Sequence, residues 1–163
     1  FLADVCQQWE AATRPAADAG IRVVNLRIGV VLSKRGGALA KILPIFRMGG
    51  GGVVGNGRQY WSWVGVEELA AMLEFCAVND QLSGPVNGVT GSCTNHEFTK
   101  TLGRVLGRPT LFPLPGFMAK IMLGEMAEHL LLASTRVEPG KLQAAQYPFL
   151  DADLESAFRR AIA

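Results

Sequence analysis

Residues 55–68, GNGRQYWSWVGVEE, hold the densest mixture of hydrogen-bond donors and flat apolar faces in the chain. Arg58 and Gln59 bring donors, while Tyr60, Trp61 and Trp63 bring rings. Concave small-molecule sites are built from that mixture. The same pattern equally fits a strand with Trp61 and Trp63 in the core and Arg58 in solvent. A second candidate is RVVNLRIGVVLS, residues 22–33, a strand-like run carrying Arg27, Gly29, Val30 and Val31 at its exit. In open α/β sheets, ligands sit outside the carboxyl ends of strands. There Gly29 lets the backbone approach a flat ring, and Val30 and Val31 offer main-chain groups and an apolar wall. The competing reading makes Gly29 a bend and the valines core.

Other chemistries find less support. Gly49–Gly52 is glycine-rich, but a helix precedes it and a strand follows, the reverse of a phosphate loop, so it reads as a flexible turn. Neither GxGxxG nor GxxxxGK[ST] occurs. His96 and His129 have no partner at metal-ligand spacing and read as structural or surface residues. Ser62 and Ser92 lack both a GxSxG elbow and a nearby base. Glu125 and Glu128 form an i, i+3 pair on a solvated helix face. Cys6, Cys76 and Cys93 are odd in number, widely spaced and without CxxC, so neither a zinc site nor a disulfide framework is expected. A reducing cytoplasm fits this usage.

The elements that must position these residues follow from periodicity. Leu2, Val5, Cys6, Trp9 and Ala12 predict a helix over 2–19, stopped at Gly20. Residues 21–27 read as a strand covered on both faces. A helix over 38–47 is expected to be kinked or shortened by Pro44, and YWSWV reads as a short strand. A helix begins near Val66 with Glu67 and Glu68 in its first turn, where the macrodipole favours them. A strand over 85–89 follows. A helix over 95–106 has Thr94 or Asn95 as N-cap and Gly107 as stop. Residues 110–114 read as extended. The last third reads as mostly helical, with RVEPGKL as a break and restart. Helix followed by strand, three times over, predicts an α/β fold with few parallel strands and a mostly helical C-terminal cap.

Bulk composition excludes several classes. The 163 residues are 49% hydrophobic and 18% charged, enough for one domain with a core. A net charge of +2 without a basic stripe argues against nucleic acid. The apolar run 117–132 is broken by Lys120, Gly124, Glu125, Glu128 and His129, which argues against a membrane span. No basic n-region of a signal peptide opens the chain. It begins without methionine and inside a helical pattern, so upstream sequence is expected.

FLADVCQQWEAA, VVNLRIGVVLSKRGGAL, GNGRQYWSWV, GPVNGVTGSCTNHEFTKTLGRVLGRP and LPGF stand in the order and spacing of a known family. With LLLASTRVEPGKLQAAQYPFLDADLESAFRRAI, they resemble the epimerase family of atypical extended short-chain dehydrogenases, which carries a small C-terminal helical domain of unknown function. The resemblance covers nearly the whole chain and implies the C-terminal half of a protein about twice this size. It implies a division into 1–90, the C-terminal part of a Rossmann-like NAD(P)-binding domain, and 91–163, the substrate-side helical part. It further implies an NADP(H)-dependent oxidoreductase or epimerase of the cytoplasm, acting on a small carbonyl or sugar-like substrate. The upstream half would hold the pyrophosphate loop, and it would be this half's partner. Gly29, Val30 and Val31 would line the nicotinamide, with Arg27 shaping the strand end. Arg58, Gln59, Trp61 and Trp63 would face the substrate. No catalytic residue is assigned, because neither Tyr60 nor Tyr147 has lysine four positions on. Alone, the chain is expected to be inactive and not to bind NADP(H) tightly. Gly65 departs from a histidine common in the family, and Glu68 stands where aspartate is usual. Two other readings are a non-catalytic NADP(H)-binding or interaction module and a truncated gene product without activity.

Overall fold

The computed structural model describes residues 1–111, 113 and 133–163. Two helices open the chain, α1 (Leu2–Ala11) and α2 (Arg14–Asp18). The single helix expected over 2–19 is divided because Pro15 has no N–H to continue the first ladder; it sits instead in the first turn of α2. Next come β1 (Val24–Ile28), β2 (Val30–Leu32) and α3 (Gly37–Arg47), which runs through Pro44. Then follow β3 (Tyr60–Gly65), α4 (Val66–Val78), β4 (Gly84–Gly88), β5 (Gly91–Thr94) and α5 (Asn95–Leu106). The described C-terminal helices are α6 (Gly140–Ala144) and α7 (Leu154–Ile162).

β1 pairs in parallel with β4, from Val24 opposite Gly84 to Ile28 opposite Gly88. In the second sheet, ordered β2-β3-β5, the first pair is parallel and the second antiparallel. The antiparallel strand β5 is absent from the sequence reading, because GSCT has neither alternation nor a β-branched run. Among the described residues, the third helix–strand pair is not found either. Residues 108–111 form no strand: Arg108 N–H bonds back to the Gly103 carbonyl, and Lys100 Nζ holds both oxygens of Thr110. Glu125, Glu128, His129 and the LPGF stretch lie outside the described residues.

Alternation along β3 serves two cores. Trp61 and Trp63 join Leu32, Leu39, Phe98, Leu102 and Phe158 in one cluster, under α3, α5 and α7. Val64 joins Met72, Val86, Leu142 and Tyr147 in the other, under α4 and α6.

Candidate functional site

The parallel strands β1 and β4 end side by side, and the chain turns out of β1 at Gly29. Gly29 N–H donates to the Gly88 carbonyl at 3.2 Å. A Cβ here would lie 2.6 Å from the Ser62 carbonyl oxygen and 2.8 Å from Val89 Cγ1. The close approach that this glycine permits is therefore to the protein's own chain, where β1 of one sheet steps to β2 of the other. Val30 and Val31 are half-buried and face opposite ways, Val30 packing on the tryptophan cluster and Val31 on the Val64 cluster. β2 is an edge strand, so the outer main-chain groups of this step have no strand partner among the described residues.

Arg27, next to last in β1, clamps Glu10 of α1 through two hydrogen bonds, Nε to Oε1 at 2.7 Å and Nη2 to Oε2 at 2.8 Å. That fork holds the Glu10 carboxyl below its ordinary range. Arg27 thus fixes helix α1 against the strand end.

The 55–68 cluster divides by alternation. Arg58 is exposed, its N–H donating to Asn56 Oδ1 in a tight turn. Gln59 is buried and donates from Nε2 to the Val54 carbonyl. Asn56, Arg58, Gln59 and Ser134 line an open groove of about 430 Å³. Trp61 and Trp63, which share the parity of Gln59, are buried in the core, Trp61 edge-on to Phe98 at 5.0 Å between centroids. The structure brings Arg58 and Gln59 together at a surface groove and places both indoles in the core.

One feature of the site has no motif in the sequence. Residues 134–138 lie as a strap beside β3, β5 and β4. Tyr60 N–H donates to Ser134 Oγ at 3.1 Å, and Thr135 N–H to the Tyr60 carbonyl at 2.9 Å. Ser62 and Ser92, with hydroxyl oxygens 2.9 Å apart, bond the strap at Thr135 and Val137. Arg136 lies 5.2 Å over the Tyr60 ring. The only hint in the sequence is a pair of small hydroxyl residues where the core pattern calls for apolar ones. Among the described residues, no group of His, Cys, Asp and Glu is placed to hold a metal ion. No described helix is long and apolar enough to cross a membrane.

Residues 114–161 match the family described as a domain of unknown function, DUF1731. An epimerase family protein of Mycobacterium bovis is 45% identical over 151 residues, covering 91% of this chain and 50% of that protein. This chain matches the C-terminal half of epimerase family proteins. Its fold agrees with theirs. The crystal structure of human epimerase family protein SDR39U1 (isoform 2) with NADPH superposes with a TM-score of 0.81 at 34% identity, covering 86% of this chain and 48% of that one. A nucleoside-diphosphate sugar epimerase from Corynebacterium glutamicum superposes with a TM-score of 0.79 at 34% identity, covering 99% of this chain and 31% of that one. The chain thus spans about half the length of the curated relatives it matches. The α/β architecture, with few parallel strands and helical parts, is part of this family's Rossmann-like fold.

Proposed function

We propose that this chain is the C-terminal half of an NADP(H)-dependent oxidoreductase or epimerase that acts on a small carbonyl or sugar-like substrate in the cytoplasm. One observation carries the reading. The carboxyl ends of β1 and β4 converge on Gly29, beside the open edge of β2, in a chain 34% identical to a protein solved with NADPH. Outward main-chain donors and acceptors next to an apolar wall suit a nicotinamide carboxamide and ring, so Gly29, Val30 and Val31 fit that end of the cofactor. When bound, NADP(H) would supply the hydride. The protein's part is to fix the ring, and Arg27 contributes by anchoring α1 at the strand end. Arg58 and Gln59 meet the substrate at the groove, and Trp61 and Trp63 support them from the core. In this reading residues 1–90 form the cofactor side and 91–163 the substrate side.

The partner is the rest of the same protein. Val23 O and Gly29 N point to β4, so by alternation the main-chain groups of Val24, Leu26 and Ile28 face outward, without a strand partner among the described residues. A further strand pairs there. The adenosine and diphosphate sites lie on that absent portion, since no phosphate loop occurs in this chain. The test is energy transfer from tryptophan to NADPH. A full-length parent is expected to give saturable transfer and this chain alone none. No transfer with the parent, or tight binding by the chain alone, would overturn the proposal.

A further inference from the structure

We propose that Ser62 and Ser92 are positioning residues that clasp residues 134–138 over the carboxyl ends of β1 and β4, closing the nicotinamide end of the site against solvent. The inference rests on the NADP(H) reading above and gives a role to a stretch of the matched domain of unknown function.

The strap is held at three successive points. It meets β3 at Tyr60, crosses the Ser62–Ser92 pair, and reaches β4 where Asn87 Nδ2 donates to the Glu138 carbonyl at 3.0 Å. Asn87 is one residue before the end of β4. The strap therefore passes beside the place where the two parallel strands finish, which is where open α/β sheets take their ligands.

The middle point holds most of the bonds. Ser62 Oγ donates to the Thr135 carbonyl and Ser92 Oγ to the Val137 carbonyl, both at 2.8 Å. Both hydroxyls accept from Val137 N–H, at 2.9 and 3.2 Å. Each hydroxyl has one proton and a strap carbonyl within 2.8 Å to receive it, so the strap can satisfy the pair. Ser62 shares its face of β3 with Val64, which is wholly buried, and is itself only 6% exposed. Without the strap, the two hydroxyls would have only each other to bond, where packing alone calls for apolar side chains. Ser62 also reaches the strand exit directly, because its carbonyl fills the space beside Gly29. One residue thus touches the strap with its side chain and the proposed nicotinamide step with its main chain. Residues 134–138 form no strand, so beyond the single main-chain bond from Thr135 to Tyr60 these hydroxyls do most to set its place.

The experiment uses the full-length parent with NADPH bound and three variants: Ser92→Ala, Ser62→Ala with Ser92→Ala, and Ser92→Thr. Hydrogen exchange at Thr135 and Val137 reports the strap, and acrylamide quenching of bound NADPH fluorescence reports shielding of the ring. In the double alanine variant, exchange is expected to rise about tenfold or more and the quenching constant about twofold. NADPH affinity should stay within about threefold, because most of it comes from adenosine and phosphates. General damage to the fold would lower affinity together with shielding. Ser92→Ala leaves Ser62 its strap bonds and should show the same split in smaller degree, which keeps the test decisive if the double variant does not fold. Ser92→Thr keeps the hydroxyl and should match the unsubstituted protein. Unchanged quenching despite faster strap exchange, or unchanged exchange, overturns the clasp alone. No NADPH binding by the unsubstituted parent overturns the cofactor reading beneath it.

Discussion

Glu68 is completely buried, and among the described residues the side-chain hydrogen bonds its carboxylate accepts come from the C-terminal tail. Tyr147 Oη donates to Oε1 at 2.6 Å, and the N–H groups of Leu150 and Asp151 donate to Oε2 at 2.8 and 3.0 Å. Burial, then the bond to Glu68, pushes the Tyr147 phenol above its ordinary range. Tyr147→Phe should destabilise by about 1–3 kcal/mol, the usual cost of leaving a buried acceptor without its donor, read from urea denaturation. The pH dependence has a definite sign. Unfolded tyrosine loses its proton near pH 10 while folded Tyr147 keeps it, so this contribution is whole below about pH 10 and falls as pH rises. The phenylalanine variant should lack that alkaline decline. Gly29→Ala places a methyl against backbone, since the Ser62 carbonyl cannot swing aside as a side-chain tip could. It should cost about 1–3 kcal/mol of stability in the same assay. At this scale the sequence was partly readable. Gly29 stood out as a glycine between β-branched residues, but whether a ligand or the chain itself required it depends on Ser62 and Val89, more than thirty positions away. Ser62 and Ser92 had no motif, because a hydroxyl clasp uses the partner's main chain and leaves no spacing rule.

Helix α5 begins with a complete capping box. Glu97 N–H donates to Thr94 Oγ1 at 3.2 Å, and Thr94 N–H donates to Glu97 Oε2 at 2.7 Å. That main-chain bond leads the effects that hold the Glu97 carboxyl below its ordinary range. Thr94→Ala should destabilise by about 0.5–2 kcal/mol, measured by thermal or urea unfolding. Because the folded pKa is lowered, the contribution of Glu97 is present above the ordinary glutamate pKa and lost as pH falls below it, and Thr94→Ala should weaken that acid dependence. The helix was legible because its cap, its stop at Gly107 and its period agree. The expected third strand is not formed by the described residues after it, where tertiary bonds from Lys100 to Thr110 stand in place of a strand ladder. A proline divided the first helix, and four residues of β5 were too short for any period to register.

At the scale of the whole molecule, the described residues bury two cores and leave the edges of β1 and β2 without a strand partner. Phe158 of α7 closes the tryptophan core, and Leu142 and Tyr147 close the other, so the tail after residue 139 completes both. The outer edge of β1 is different. Ile28 is 51% exposed there, and Trp9, on the neighbouring α1, is 73% exposed. An uncovered strand edge with apolar neighbours pairs with whatever strand it meets. The chain alone should self-associate with rising concentration in sedimentation velocity, and Ile28→Lys should reduce that association. A full-length parent should not show it, on the proposal that a strand from the rest of the protein pairs there. The parallel pairing and the likeness to epimerase family proteins were legible from sequence, while the step between two sheets was not, since it depends on register between strands remote in the chain.

The most direct measurement is a crystal structure of the full-length parent with NADPH. The account predicts the nicotinamide ring against the main chain of Gly29, Val30 and Val31, with residues 134–138 beside it. A well-ordered cofactor whose nicotinamide lies away from that step would contradict it.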